Sequence, residues 1–156
     1  MGAMKIFTLH EKQIIPIGLD EAWEFFSNPY NLSKITPPEM DFKIKNKVDP
    51  KIYNGMIIEY TVKPMLNIEC SWLTEIKHVE DHRIFVDEQR VGPYKIWYHQ
   101  HIFRSVEGGV EVEDIVHYVL PLCFLSGIVN HLFIKNKLKS IFDYRKKVIE
   151  DNFGKV

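Results

Sequence analysis

Two histidines and an aspartate in the second half of the chain have residue types and a spacing that could support chemistry. His99 and His101 are separated by one residue in a β-like segment, and Asp114 lies in the next such segment. Side chains two positions apart on a strand share a face, so both imidazoles should point the same way. An imidazole oriented by a carboxylate can act as a general base, and two imidazoles with a third ligand can bind zinc.

Both chemical interpretations have a structural alternative that we favour. The third zinc ligand would be Asp114 or His117, and the alternation places His117 on the opposite face. A histidine can also simply satisfy a buried carboxylate by hydrogen bonding. We therefore predict no metal site and no cofactor. His99, His101 and Asp114 remain the only catalytic candidates, and we predict a binding protein rather than an enzyme.

The predicted hairpin fixes how these residues face one another. Gly108-Gly109 is a good two-residue turn between two strands. That turn pairs three residues of one strand with three of the next, which are Phe103 with Asp114, His101 with Val116, and His99 with Tyr118. His101 would then lie diagonally across from Asp114, within reach of its side chain.

One face of this sheet is richer in aromatic side chains and is predicted to be concave. Because side chains alternate between the two faces along each strand, residues of the neighbouring strands can be added to that face, and Arg90 is assigned to the outer one. The predicted ligand-binding residues are Trp72, Phe85, Asp87, Gln89, Trp97, His99, His101, Phe103, Asp114, Val116, Tyr118 and Leu132.

The elements that must position these residues form one α+β domain. Turn residues separate predicted strands at 5–15, 41–48, 55–63, 67–79, 82–91, 94–106 and 110–120, and short helices at 20–27 and 29–35 follow the first strand. Short turns between successive strands predict an antiparallel meander. The domain should span residues 4–153, with residues 1–3 set aside as a cloning remnant.

A long helix over 126–152 closes the predicted fold. Its apolar residues recur at threes, fours and sevens and predict one buried stripe, comprising Ile128, Leu132, Leu138, Ile141, Phe142, Val148 and Ile149. Ser126 is a candidate N-cap, and Asn152 and Gly154 are stop signals. Such a helix is about 40 Å long, enough to cross a whole sheet. A seven-stranded curved sheet around it leaves room that side chains or a ligand must fill.

The composition of the chain argues against nucleic acid and a membrane span. The chain has 156 residues, a formal net charge of -1 and 13% aromatic residues, and no long basic stretch that would bind nucleic acid. The short run 145–147 is interpreted as a solvated helix face, and Cys70 and Cys123 as reduced core residues of a cytoplasmic protein. The region 118–134 contains Pro121 and Gly127 and no apolar run of spanning length, so no transmembrane segment is predicted.

A series of short motifs in a fixed order extends this interpretation. They are Trp23 with Asn31-Leu32 and Thr36-Pro37-Pro38, then Phe85-Val86-Asp87-Glu88-Gln89, Gly92-Pro93-Tyr94, Trp97-x-His99-x-His101-x-Phe103, Asp114-x-Val116-x-Tyr118-x-Leu120-Pro121, and Ile141-Phe142-x-Tyr144-Arg145. Together they resemble the START-like superfamily, also called Bet v 1-like or polyketide cyclase-like (SRPBCC), and more narrowly its bacterial stand-alone ligand-binding branch.

The resemblance implies a helix-grip fold with a hydrophobic tunnel between the sheet and the C-terminal helix. Relatives bind lipids, sterols, hormones or polyketides, and some catalyse cyclisation or dehydration. The first expectation is therefore a small apolar or amphipathic ligand in an enclosed pocket of several hundred Å³. A cyclase or dehydratase using a His/Asp/Tyr cluster and a protein-interaction or regulatory domain are the alternatives. Residues 122–127 are expected to form a buried connection, with a gate at the tunnel mouth as the alternative.

Overall fold

The computed structural model describes residues 5–121 and 128–156, with the side chains of the last helix described from residue 131. Seven antiparallel strands form one sheet in the order β1-β7-β6-β5-β4-β3-β2. The strands are β1 (Phe7–Ile15), β2 (Lys43–Ile44), β3 (Ile57–Met65), β4 (Ile68–Glu80), β5 (Ile84–Val91), β6 (Ile96–Val106) and β7 (Gly109–Val119). Register shifts in β3–β4 and β4–β5 mark bulges, which bend strands, and the sheet is curved.

The helices follow the predicted order. Helix α1 (Leu19–Phe26) has Asp20 and Glu21 in its first turn, where their negative charges interact favourably with the positive end of the helix dipole. Two 3₁₀ segments (Pro29–Ile35 and Pro38–Met40) follow it, so the second predicted helix has the tighter geometry. Helix α2 (Ile128–Phe153) ends at Gly154, which has φ +96 and donates its N–H to Glu150 O over 2.9 Å.

The apolar stripe of α2 is only partly as predicted. Leu138, Phe142 and Ile149 are buried against the sheet, whereas Leu132 is 50% exposed. Leu132 lies less than two turns into the helix, and among the side chains described from residue 131 onward the first fully buried one is Leu138. The neighbouring His131 does contact the sheet, stacking on Phe7 of β1 with 4.0 Å between centroids, so Leu132 lies on the exposed side of α2 at this point. Sequence periodicity alone does not locate the boundary of the buried stripe.

The predicted register of the β6–β7 hairpin is wrong by two residues. Val106 pairs with Gly109, so the turn residues are Glu107 and Gly108. A Cβ on Gly109 would lie 2.0 Å from the backbone oxygen of Ile15, so this glycine serves a close approach of β1 rather than the turn. Because the shift is even, every side chain stays on its predicted face.

The predicted strand at 41–48 is mostly irregular, and only Lys43–Ile44 pairs as β2. Asp41 has φ 47, which is incompatible with a strand. Further along, the Asn46 side chain donates to Ile57 O and accepts from Glu59 N, both over 2.9 Å. A side chain therefore takes over the hydrogen bonds that a continued strand would make.

The inner face of the sheet is confirmed as the aromatic one. Trp97, His99, His101, Phe103, Asp114, Val116 and Tyr118 are all less than 9% exposed. Cys70 is a free thiol of intermediate exposure on β4, so it is less buried than predicted. Cys123, Ser126 and the predicted connection at 122–127 lie outside the described residues. None of the described helices is long and apolar enough to cross a membrane.

Candidate functional site

The site is built on the inner face of three adjacent strands. Cross-strand pairing places Asp87 of β5 opposite His99 of β6, and His101 of β6 opposite Asp114 of β7. Four polar side chains therefore meet on a face that is otherwise apolar. Burying them together allows each charged group to find a partner, which a lone buried charge would lack.

Each imidazole lies between the two carboxylates. His99 Nε2 donates to Asp114 Oδ1 over 2.8 Å, and His101 Nε2 donates to Asp87 Oδ2 over 2.6 Å. The other ring nitrogens approach the opposite carboxylates, with His99 Nδ1 at 3.2 Å from Asp87 Oδ2 and His101 Nδ1 at 3.0 Å from Asp114 Oδ1. His101 Nδ1 is buried and makes no aligned hydrogen bond despite that short distance. The four residues thus form a closed ring, the His/Asp ring.

The charges in the His/Asp ring stabilise one another. Burial alone would raise the pKa of the Asp87 carboxyl, but the charge of His99 and the hydrogen bond from His101 hold it well below its usual range. Hydrogen bonds from both imidazoles and the charge of Arg145 likewise overcome burial and lower the pKa of Asp114. Burial lowers the pKa of His99, yet Asp87 and Asp114 outweigh that effect and raise it to about 9. His99 is therefore an imidazolium near neutral pH.

Three further contacts hold the ring in place. Trp97 Nε1 donates to Asp87 Oδ1 over 3.3 Å, so the two oxygens of that carboxylate have different partners. The Phe85 ring stacks on His101 with 4.2 Å between centroids. On the other side, Arg145 Nη1 of α2 lies 3.5 Å from Asp114 Oδ1. The ring is thus fixed by the sheet and by the last helix together.

A cavity of about 170 Å³ lies between the inner face of the sheet and α2. It is smaller than the several hundred Å³ predicted, because large aromatic side chains occupy much of the concave face. Its lining is mostly apolar and aromatic, and includes Phe25, Phe26, Ile58, Tyr60, Val62, Trp72, Ile76, Tyr94, Leu138 and Phe142. Its polar members are Asp87, His99, His101 and Arg145, together with Asn28, Asn31, Thr36, Thr74 and Lys137.

Half of the predicted ligand-binding residues line this cavity. They are Trp72, Phe85, Asp87, Trp97, His99 and His101. Gln89 instead forms two side-chain hydrogen bonds to the β5–β6 connection. It donates to Tyr94 O over 2.6 Å and accepts from Tyr94 N over 3.1 Å. Phe103 packs on Trp23, 5.4 Å between centroids, and Val116 and Tyr118 are buried in the core. Asp114 lies behind the histidines, and Leu132 is outside the lining.

Arg145 belongs to the candidate site, where it lies beside Asp114 and lines the cavity, and the sequence analysis does not place it there. The run 145–147 was interpreted as a solvated face, and Lys147 is indeed 75% exposed, but the Arg145 side chain is only 12% exposed. Its guanidinium also lies over the Phe142 ring at 5.0 Å. The signal was the i, i+3 spacing from Phe142, which places Arg145 on the buried stripe. His117 lies on the outer face, beside Thr8, as its parity predicted.

Comparisons with known proteins identify the architecture. No protein-family model matches this sequence, and a search of curated proteins finds no match either. Among solved structures, norcoclaurine synthase from Thalictrum, in complex with a transition-state analogue, is 14% identical with a TM-score of 0.68, and the match covers 97% of this chain and 99% of that one.

Two further structures agree. Ginseng major latex-like protein 151 from Panax ginseng is 12% identical with a TM-score of 0.69, covering 95% of this chain and 97% of that one. Protein Ms6760 from Mycobacterium smegmatis is 15% identical with a TM-score of 0.64, and the match covers 93% of this chain and 92% of that one. The chain therefore has the START-like, or Bet v 1-like, helix-grip fold, as its motif series implied.

Proposed function

We propose that this protein binds a small hydrophobic or amphipathic molecule in the cavity between the sheet and α2. The observation that carries the proposal is the composition of the cavity wall, which is mostly apolar and aromatic and has Asp87, His99 and His101 among its polar groups. Ligand sites typically combine a mostly apolar wall with a few fixed polar groups. The apolar body of the guest would lie among the aromatic residues, with any polar group near Asp87 and His99.

The cavity volume limits the size of the guest. An apolar cavity of roughly 150 Å³ admits a benzene-sized molecule in a well-packed protein. The cavity here, at about 170 Å³, therefore suits a molecule of one or two rings or a short alkyl chain. Larger guests would require α2 to move away from the sheet.

Two adjacent residues of β3 provide a matched test. Ile58 is 6% exposed and lines the cavity, whereas Ile57 is 42% exposed on the other face. Ile58→Trp should fill the cavity and weaken binding of 2-naphthol, measured by calorimetry, at least tenfold. Ile57→Trp should bind like the unmodified protein. Equal binding by both variants, with circular dichroism showing that both are folded, would refute the proposal.

Native mass spectrometry gives an independent check on the natural guest. Protein purified under mild conditions should carry a co-purified small molecule, and its mass should disappear in Ile58→Trp but persist in Ile57→Trp. A mass that is retained in Ile58→Trp would place the guest outside the cavity.

An enzymatic function of the cyclase or dehydratase type is the second candidate. It is supported by His99 and His101 lining the cavity rather than facing outward. A protonated His99 can donate a proton to a substrate but cannot accept one, so it would act as a general acid. Tyr118, which belonged to the predicted cluster, is not part of the lining. Turnover of an added carbonyl substrate that is lost in His99→Gln would support this function.

A further inference from the structure

We propose that Asp87, His99 and His101 bind a divalent transition-metal ion such as Zn²⁺ at the polar end of the cavity. Each of the three side chains offers one ligand atom, and these atoms lie within 4.8 Å of one another. The proposal does not depend on an organic guest, because all three ligands come from the protein.

The distances on the Asp87 side of the ring match what a metal requires. Ligand atoms around a tetrahedral zinc with bonds of about 2.0–2.1 Å lie roughly 3.3 Å apart. Asp87 Oδ2 is 3.2 Å from His99 Nδ1 and 2.6 Å from His101 Nε2. Of these two distances, only the second has to open, by about 0.7 Å, and all three ligand atoms already lie within 4.8 Å of one another.

In this proposal Asp114 does not bind the metal and instead orients the two histidine ligands. His99 Nε2 donates to Asp114 Oδ1 over 2.8 Å, and His101 Nδ1 lies 3.0 Å from the same oxygen. Metal-bound histidines commonly direct their other ring nitrogen to a carboxylate, which fixes the orientation of the ring. With both rings turned to Asp114, His99 Nδ1 and His101 Nε2 face Asp87. The metal would replace the protons now shared between those nitrogens and Asp87.

The surrounding charges favour the same side. Arg145 Nη1 lies 3.5 Å from Asp114 Oδ1 and would repel a cation placed there. Asp87 Oδ1 accepts from Trp97 Nε1, so Oδ2 is the oxygen left for the metal. The Asp87 side is therefore the electrostatically favourable position for a dication.

A metal in this position would keep one coordination site open. Asp87, His99 and His101 all line the cavity, whereas Asp114 does not. Three protein ligands leave the fourth position of a tetrahedral ion to water or to a guest atom, unlike a closed structural site. Two imidazoles and one carboxylate favour ions such as Zn²⁺, Co²⁺ or Fe²⁺ over Mg²⁺ and Ca²⁺.

The test is a Zn²⁺ titration of the tag-free, EDTA-treated full chain by calorimetry. We expect one ion per chain in the unmodified protein. Asp87→Asn, which removes a ligand, should weaken Zn²⁺ affinity at least 100-fold. Asp114→Asn, which removes the carboxylate that orients the two rings and leaves all three ligands, should weaken it 10–100-fold. His117→Gln, on the outer face, should leave the affinity unchanged.

Two results would overturn the site. Zn²⁺ binding that is weak and equal in the unmodified protein and Asp87→Asn would assign the ion to surface histidines. Absence of binding would leave the His/Asp ring as a purely hydrogen-bonded structure. If the variants do not fold, Co²⁺ added to the unmodified protein still decides. Intense visible absorption at one equivalent, abolished by excess Zn²⁺, supports the site, and only the weak spectrum of hydrated Co²⁺ contradicts it.

Discussion

Adjacent residues of β7 carry two very different charge networks. Asp114 points inward to two buried histidines, whereas Glu113 points outward to His10, Lys12 and Arg104. The inward partners are 4–8% exposed, and the outward partners are 47–52% exposed.

The comparison separates the roles of the two networks. Half-exposed cations around a strand carboxylate are an ordinary way to satisfy a sheet surface, and they contribute little stability. Burying charges at both ends of every contact costs desolvation energy that apolar side chains of similar volume would avoid. The inner network is therefore the more costly of the two to bury.

Removing Asp114 should have the largest effect on stability. Asp114→Ala leaves the buried His99 and His101 with one carboxylate instead of two and leaves Arg145 without its carboxylate partner, so we expect a loss of about 3–5 kcal/mol in the free energy of unfolding. Glu113→Ala should lose less, about 1–2 kcal/mol, because its partners can turn to water. Urea unfolding at pH 7 measures both. A larger loss in Glu113→Ala would reverse the comparison.

Arg145 should come next, because it belongs to the inner network although it lies on α2. Arg145→Met keeps the packing on Phe142 but removes the charge beside Asp114, and should lower the unfolding free energy by about 2 kcal/mol. The control is Lys147→Met, which breaks only an exposed pair with Asp151 and should leave the free energy of unfolding unchanged within experimental error. Equal effects of the two variants would show that Arg145 is a surface residue.

The outer network should appear as an acid-dependent part of stability. The hydrogen bond from Arg104, helped by His10 and Lys12, outweighs burial and lowers the pKa of Glu113 from 4.5 to about 2. A depressed carboxyl pKa adds stability above the unfolded value, and that stability is lost as pH falls from about 4.5 to about 2. Because His10, Lys12 and Arg104 are about half exposed, solvent screens their effect, and we expect this contribution to be about 1–2 kcal/mol.

Glu113→Gln isolates this contribution. Its unfolding free energy should lie below that of the unmodified protein at pH 7, and the two should converge near pH 2. Parallel curves over the whole range would mean that Glu113 titrates normally in the folded protein.

Lys12→Met should have the smallest effect. Its amine lies 3.3 Å from Glu111 and 3.5 Å from Glu113, and it is 47% exposed. Exposed ion pairs contribute about 0–1 kcal/mol, and Arg104 and His10 still neutralise Glu113 after the substitution. Thermal unfolding should shift by no more than 2–3 °C in a domain of this size. A shift as large as that of Arg145→Met would make the outer network as important as the inner one.

These two faces also show what sequence can and cannot predict. Alternation along β6 and β7 assigned His99, His101 and Asp114 to the inner face, because side-chain parity survives an even error in register. The register itself was mispredicted, because Gly109 meets a long-range requirement, the approach of Ile15, that no local pattern reveals. The fold was therefore predictable from periodicity and motif order.

The partners within the site were not predictable to the same degree. Asp87 was assigned to the correct face, but its contacts with both histidines depend on the β5–β6 register, which the sequence between them leaves open. Arg145 reaches Asp114 across the interior from α2. Its i, i+3 spacing from Phe142 indicates a buried position, but nothing in the sequence identifies Asp114 as its partner. Contacts between elements distant in sequence arise from packing, which periodicity does not describe.

The indole N–H groups of the three tryptophans offer the most direct test of the cavity as a binding site. Trp72 and Trp97 line the cavity, whereas Trp23 is buried between Phe85 and Phe103 away from it. In a ¹⁵N-labelled sample titrated with 2-naphthol, we predict saturable shifts of the Trp72 and Trp97 indole signals and an unchanged Trp23 signal. Signals that do not move at saturating 2-naphthol, or that all move equally without saturation, would contradict the account.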